Sequence, residues 1–253
     1  MSEDVLLVEQ RGPVLIVTLN RPAVRNAISA DMMGRIADAV ERAEQDDVIR
    51  VLVVAGAGGQ AFSAGMDLRS IASGDEVRPP AAFLRLLAGE VVVPVVSAIS
   101  GVAVGAGCEI AFGSDVVIAS PEATFGLPEV KRGLFAGSGV MHVAKRLPLG
   151  VALEMVLTGD RIGAERALEL GFVNAVVPAG EVLGHALALA DRIAANAPLG
   201  VAASKELVRK VAYGSADAGR RLEEWLSVVF TSEDAKEGAT AFVEKRTPSW
   251  KGR

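Results

Sequence analysis

Cysteine is almost missing from this chain. The 253 residues hold one, Cys108, so no disulfide can close within the chain and no thiolate cluster can hold a metal. That usage suits a reducing compartment, and a cytoplasmic location is expected. Aromatic residues are scarce at 4%, which leaves the core to Ala, Val, Leu and Ile and argues against a base-stacking surface. Positive charge is in deficit: 26 Lys and Arg face 31 Asp and Glu, a formal net charge of −5. No global basic field is present, and no nucleic-acid partner is expected. The first ten residues carry Glu3, Asp4 and Glu9 and lack the basic-then-apolar pattern of a secretory leader. The longest weakly polar run, Val91 to Cys108, contains Pro94, Ser97 and Ser100 and leads into Glu109. It reads as a buried strand followed by a glycine-rich turn, not as a membrane span.

Several catalytic signatures are also missing. There is no HExxH, and the only histidines, His142 and His185, fall in helical patterns and are expected as packed or solvated helix residues. No metal site is expected. No GxSxG elbow supports a hydrolase triad, and no GxxxxGK[ST] loop cradles a phosphate. Gly105-Ala106-Gly107 opens like a dinucleotide fingerprint, but Ile110 stands where the third glycine belongs.

What is present is a folded, soluble-protein composition, with 51% hydrophobic and 23% charged residues. Val5–Val8 and Val14–Leu19 form a hairpin pattern around Arg11-Gly12-Pro13. Ser29 is placed to cap a helix carrying Met32, Met33, Ile36, Val40 and Ala43. Strands are predicted at Val48–Val54, Val95–Ile99, Val116–Ala119 and Phe172–Val177. Helices are predicted at Ala81–Leu87, from near Gly107, and at Glu165–Leu170, Val182–Ala195 and Leu199–Val211. The last stretch, Ala216–Lys245, reads as two helices with Ser232 capping the second. Strand, helix, strand order makes this an α/β chain. The division expected is an α/β core over 1–197 and a helical region over 198–253 that docks on a neighbouring subunit.

Two glycine-containing turns follow predicted strands: Ala61 to Leu68, and Gly101 to Ile110. Small residues let backbone approach a ligand closely. If each turn opens a helix, the first N–H groups are left without intrahelical partners and carry the positive end of the helix dipole. Two such groups converging would bind an oxyanion. Ordinary tight turns explain the same spacing equally well. Glu109 follows the second turn among apolar neighbours, and Glu129 sits behind a proline in Phe125-Gly126-Leu127-Pro128-Glu129. Two carboxylates in one pocket are split in protonation by repulsion and desolvation and can serve as base and acid in turn. Each also has an ordinary reading, Glu109 as a residue satisfied by the helix dipole and Glu129 as a solvated loop residue. Whether the two meet depends on the fold.

The chain resembles the crotonase, or enoyl-CoA hydratase/isomerase, superfamily. The resemblance is carried in order by Leu19-Asn20-Arg21-Pro22 with Asn26-Ala27, then by Phe62-Ser63-Ala64-Gly65-Met66-Asp67-Leu68 and the Gly101 to Ile110 stretch. It continues through Phe125 to Glu129, Thr158-Gly159 with Ala164 and Ala167, and Ala241-Phe242-Val243-Glu244-Lys245-Arg246. It implies a spiral of ββα units with a C-terminal helical trimerisation region, an assembly as a homotrimer or dimer of trimers, and an acyl-CoA thioester substrate. Coenzyme A is then part of the substrate, and no further cofactor is implied. The resemblance assigns the oxyanion donors to the backbone N–H of Met66 and of Ala106, where many members carry glycine. The hydratase carboxylates fall on Glu109 and Glu129. Ala64, Asp67, Leu68 and Gly105 belong to the substrate-binding loops. Arg25 and Arg69 lie in CoA-binding stretches, and Phe242 and Lys245 match positions that reach the CoA of an adjacent subunit. Hydration of a 2-enoyl-CoA is the implied activity. A Δ3,Δ2-enoyl-CoA isomerase, a specialised 3-hydroxyacyl-CoA dehydratase and a non-catalytic acyl-CoA- or RNA-binding member are the alternatives.

Overall fold

The computed structural model describes residues 4–67, 69 and 78–253. The chain opens with the expected hairpin, β1 (Leu6–Arg11) against β2 (Val14–Leu19), in register from Leu6 opposite Leu19 to Arg11 opposite Val14. Gly12 turns it in the left-handed region. Helix α1 (Ala30–Gln45) starts where Ser29 accepts from the Met32 N–H at 3.2 Å. The next strand, β3, runs Val51–Gly56, three residues later than Val48 predicts. Asp46 explains the delay: its backbone carbonyl accepts from Ile49 N–H and its side chain from Val48 N–H, which folds Asp46–Ile49 into a turn.

β2, β3, β5 (Val95–Ile99), β7 (Val116–Ala119) and β10 (Ala175–Val176) run parallel, and β1 closes one edge antiparallel. The central strands are buried on both faces, as parallel strands generally are. One face packs Val14, Ile16, Val51, Val53 and Val96 on α7 (Val182–Ala194), whose Val182, Ala186, Ala190 and Ala194 recur every fourth residue. The other face lies under α1, α2 (Ala81–Ala88) and α3 (Ala106–Gly113). The strand expected over Phe172–Val177 shrinks to its last part, because Phe172 and Val173 both donate to the Ala167 carbonyl at the end of α6 (Ala164–Glu169).

A second sheet escapes the sequence patterns. It joins β4 (Ala61–Ser63), β6 (Val102–Val104), β8 (Thr124–Gly126) and β9 (Arg161–Gly163). Three residues cannot display an alternation, so composition gives no warning of them. β4, β6 and β8 are parallel, and their C-terminal ends therefore share one edge.

Helix α3 is buried along its whole length between these layers. Its glycines permit the approach. A Cβ on Gly107 would stand 2.7 Å from Ser63 Cβ, and one on Gly113 would stand 1.9 Å from the Leu86 carbonyl of α2. After α4 (Gly139–Arg146) and α5 (Leu149–Thr158), the chain ends in α8 (Pro198–Ala212), α9 (Ala218–Thr231) and α10 (Glu233–Glu244). Ser232 caps α10 by accepting from Ala235 N–H at 2.9 Å. No residue of α9 is buried, and only Ala203 of α8 is. Among the described residues no helix is long and apolar enough to cross a membrane.

Gly113→Ala tests the helix contact. The added methyl must drive α2 from α3, and overpacking of this kind costs about 1–3 kcal/mol. Urea denaturation should show a lowered midpoint with an unchanged slope.

Candidate active site

Each of the three parallel short strands hands its loop to the same place. β4 ends into Ala64-Gly65-Met66, β6 into Gly105-Ala106, and β8 into Leu127-Pro128-Glu129. Ala64, Gly65, Met66, Gly105, Ala106, Glu109 and Glu129 all line one cavity of about 350 Å³. Phe83, Leu84 and Leu87 of α2 form apolar wall, with Leu134, Phe135 and Ala136 on the loop before α4.

The loop carrying Met66 is fixed from behind. Asn26 is fully buried. Its amide donates to the Ala57 and Ala61 carbonyls at 2.9 and 2.8 Å, and its Oδ1 accepts from Arg21 N–H at 2.8 Å. Ser63 Oγ donates to the Asn26 carbonyl and accepts from Gly65 N–H. Ile28 bridges Met66 in parallel fashion, taking the Asp67 N–H on its carbonyl and giving its own N–H to Gly65. The Asn-Arg-Pro and Asn-Ala segments thus have a physical role: they anchor this loop.

Met66 N–H has no backbone acceptor among the described residues. Ala106 is the first residue of α3, so its N–H has no intrahelical acceptor either. The two loops touch. A Cβ on Gly65 would lie 3.6 Å from Ala106 N and 2.9 Å from the Val104 carbonyl, while Gly65 has φ +87°. Gly105 adopts φ 54°, ψ −132°, a region essentially reserved for glycine, and a Cβ there would sit 2.9 Å from Glu129 Oε1. The second turn opens a helix, as the sequence suggests. The helix expected after the first falls on residues outside the described ones.

The carboxylates differ in surroundings. Glu109, 7% exposed, accepts from Ser138 Oγ at 3.0 Å through Oε2. Glu129 is half-buried, and its Oε2 is enclosed without a hydrogen-bond partner. Burial pushes the Glu129 carboxyl above its ordinary value; its own backbone N–H and Arg132 pull it down, and the nearby charge of Glu109 pushes it up. Such a group holds its proton to higher pH than a solvated glutamate.

Other residues named from the sequence fall elsewhere. Asp67 is bound by Arg69 through three hydrogen bonds, two from the guanidinium and one from the backbone N–H, and by Arg21 through one. Those contacts hold its carboxyl well below the usual range, Arg69 contributing most and burial opposing. Arg25 is exposed with φ 53°. Phe242 is 86% exposed near the end of α10, and Lys245 caps that helix in the left-handed region. None of these lines the cavity. Leu68 lies outside the described residues. Ser138 and His142 are the neighbours of Glu109 that no motif announces. Their only sequence signal is a spacing of one helical turn beside a glycine.

Residues 9–253 match the family described as enoyl-CoA hydratase/isomerase. The chain belongs to that family. It is 39% identical over 257 residues to enoyl-CoA hydratase EchA19 of Mycobacterium tuberculosis, covering 98% of this chain and 96% of that one. It is 41% identical over 255 residues to carnitinyl-CoA dehydratase of Proteus mirabilis, covering 96% and 97%. A crystal structure of an enoyl-CoA hydratase from Mycobacterium tuberculosis superposes with a TM-score of 0.92 at 41% identity, over 99% of this chain and all (100%) of that one. The fold is accordingly the crotonase fold.

The raised Glu129 carboxyl has a stability consequence. Between the ordinary and the raised value the folded protein binds more protons than the unfolded chain, so stability falls as pH rises through that window. Glu129→Gln lacks this loss. Its melting temperature relative to the parent should climb as pH goes from about 4 to about 7, which scanning calorimetry across that range would read. A constant difference would show that burial does not perturb this carboxyl.

Proposed function

We propose that this crotonase-superfamily protein is an enoyl-CoA hydratase, adding water reversibly to a 2-enoyl-CoA thioester to give the 3-hydroxyacyl-CoA. The observation that carries the reading is the meeting of both carboxylates with Met66 and Ala106 on one cavity. The thioester oxygen is received by the two N–H groups. Water between the carboxylates is positioned to attack the β-carbon, one of its protons passing to a glutamate. Electron density moves onto the thioester oxygen, and the enolate so formed carries a charge that two fixed donors stabilise in a dry site. Loss of one such donor typically costs about 2.7–4 kcal/mol. The carboxylate pair then supplies the proton to the α-carbon. The pair titrates together, so acid and base duties belong to it jointly. These groups suffice for the proton transfers, with coenzyme A entering as part of the substrate.

In this reading Arg25 and Arg69 serve the phosphates of CoA, a use to which guanidinium geometry is suited. Phe242 and Lys245 serve the CoA of a neighbouring subunit in a homotrimer or dimer of trimers. Support for assembly comes from apolar residues left exposed on the C-terminal helices, Val208 and Val211 on α8 and Leu222, Leu226 and Phe230 on α9. Light scattering should give the mass of three or six chains. A monomer would remove this part of the proposal.

A second reading is favoured by the resemblance to carnitinyl-CoA dehydratase: the same groups run in reverse on a specialised 3-hydroxyacyl-CoA. A panel of 2-enoyl- and 3-hydroxyacyl-CoA thioesters separates the two. With crotonyl-CoA as probe, oxygen-18 from water should enter the product, and Glu109→Gln and Glu129→Gln should each lower kcat by about 10²-fold or more. Near-parental turnover in both variants would sink the two-carboxylate mechanism. Isomerisation without oxygen-18 uptake would point to an isomerase.

A further inference from the structure

Beside Glu109, the first turn of α4 is shaped around its carboxylate, and Ser138 at its start also lines the cavity. Ser138 stands at the helix N-cap but makes no capping bond to its own helix. Its hydroxyl instead donates to Glu109 Oε2. Gly139 follows, and a Cβ there would lie 2.9 Å from Glu109 Cδ, so any larger residue would push the carboxylate away. One turn later comes His142. It is 6% exposed, and its Nδ1 lies 3.7 Å from the same Oε2. That nitrogen is enclosed and has no hydrogen-bond partner. Both contacts are made to Glu109 Oε2, not to Oε1.

We propose that His142 is a positioning residue for Glu109: its Nδ1–H joins Ser138 Oγ–H on Oε2, fixing the carboxylate so that Oε1 meets the reacting water or α-carbon. The catalytic consequence rests on the hydratase reading; the pairing does not. An imidazole nitrogen buried without a partner is costly, and an apolar residue would fill the same space without that cost. Oε2 is the acceptor within reach. At 3.7 Å the contact is longer than a hydrogen bond, and in this proposal substrate binding closes it.

No other charge competes for His142 among the described residues. On α4 itself Lys145 sits over the Tyr213 ring and Arg146 donates to the Ser114 carbonyl. On α2, Arg85 is bound to Glu44. On α5, Glu154 is exposed. On α3, Glu109 is the one charged residue, and Glu129 faces the site from the far side of it. The sequence reading of His142 as an ordinary packed helix residue therefore leaves its polar edge unexplained.

With two histidines in the chain, the imidazole signals can be followed individually by NMR, the exposed His185 serving as internal reference. In Glu109→Gln the His142 Nδ1 resonance should move at fixed pH, because the charged acceptor of its N–H is gone, while that of His185 stays put. An unmoved His142 overturns the pairing. For the catalytic arm, His142→Phe keeps the volume and removes the donor. Its kcat for crotonyl-CoA hydration should fall by about tenfold, with KM little changed. His142→Gln, which retains a donor, should recover most of that loss. A purely packing role would lower the melting temperature and leave kcat in place, which overturns the positioning role. Failure of the parent protein to hydrate any enoyl-CoA would strike the hydratase reading, and the NMR arm then decides the pairing alone.

Discussion

Backbone N–H groups inside a protein are almost always paired, and the proposed function depends on two that have no backbone acceptor among the described residues. Met66 N–H escapes because its loop bridges Ile28 through neighbouring atoms and leaves this one out. Ala106 N–H escapes because it starts a helix. Neither would be useful alone. They are brought together by close contact of the two loops at Gly65 and Gly105, where any side chain would strike the Val104 carbonyl or Glu129 Oε1. The buried Asn26 and Ser63 network holds this geometry without help from substrate, and that preorganisation is what makes such donors effective at the moment charge develops.

The same dryness that strengthens the donors makes the carboxylates costly. Glu109 answers with a hydroxyl bond from Ser138. Glu129 leaves one oxygen unpartnered and is pushed toward its protonated form. Two acids of one chemical type are thereby placed in unlike environments, the arrangement by which one fold runs acid and base steps at the same pH.

Structural duty and chemical duty fall on different sheets. The six-stranded sheet supplies the doubly covered core, and none of its residues lines the cavity. The small sheet is also buried, through Phe62 and Phe125 among others, and its three parallel strands end at one edge, each leading into residues that line the cavity. Helix α3 couples the two, since it is packed against both and carries Ala106 and Glu109 on its first turn. A change that shifts α3, such as a side chain at Gly113, reaches the site through the rigid helix.

The long elements were readable in the amino-acid order because they declare themselves through repetition: the Ser29 cap with the spacing of Met32, Ile36 and Val40, the Val-rich runs of β3 and β5, and the break at Ser232 between the last helices. Both glutamates and both glycine turns could also be picked out as residue types suited to oxyanion and proton chemistry, and the family resemblance attached roles to them. Their meeting could not be read. β4, β6 and β8 are three residues each, too short for any period, and their pairing is a long-range choice made by backbone hydrogen bonds between segments about 20–40 residues apart. The contact of His142 with Glu109 was decided in the same way, because it depends on how α4 is laid against α3. Local order set which groups this protein possesses; packing alone set which of them share a volume, since proximity in space is a property of the closed core and not of the unfolded string.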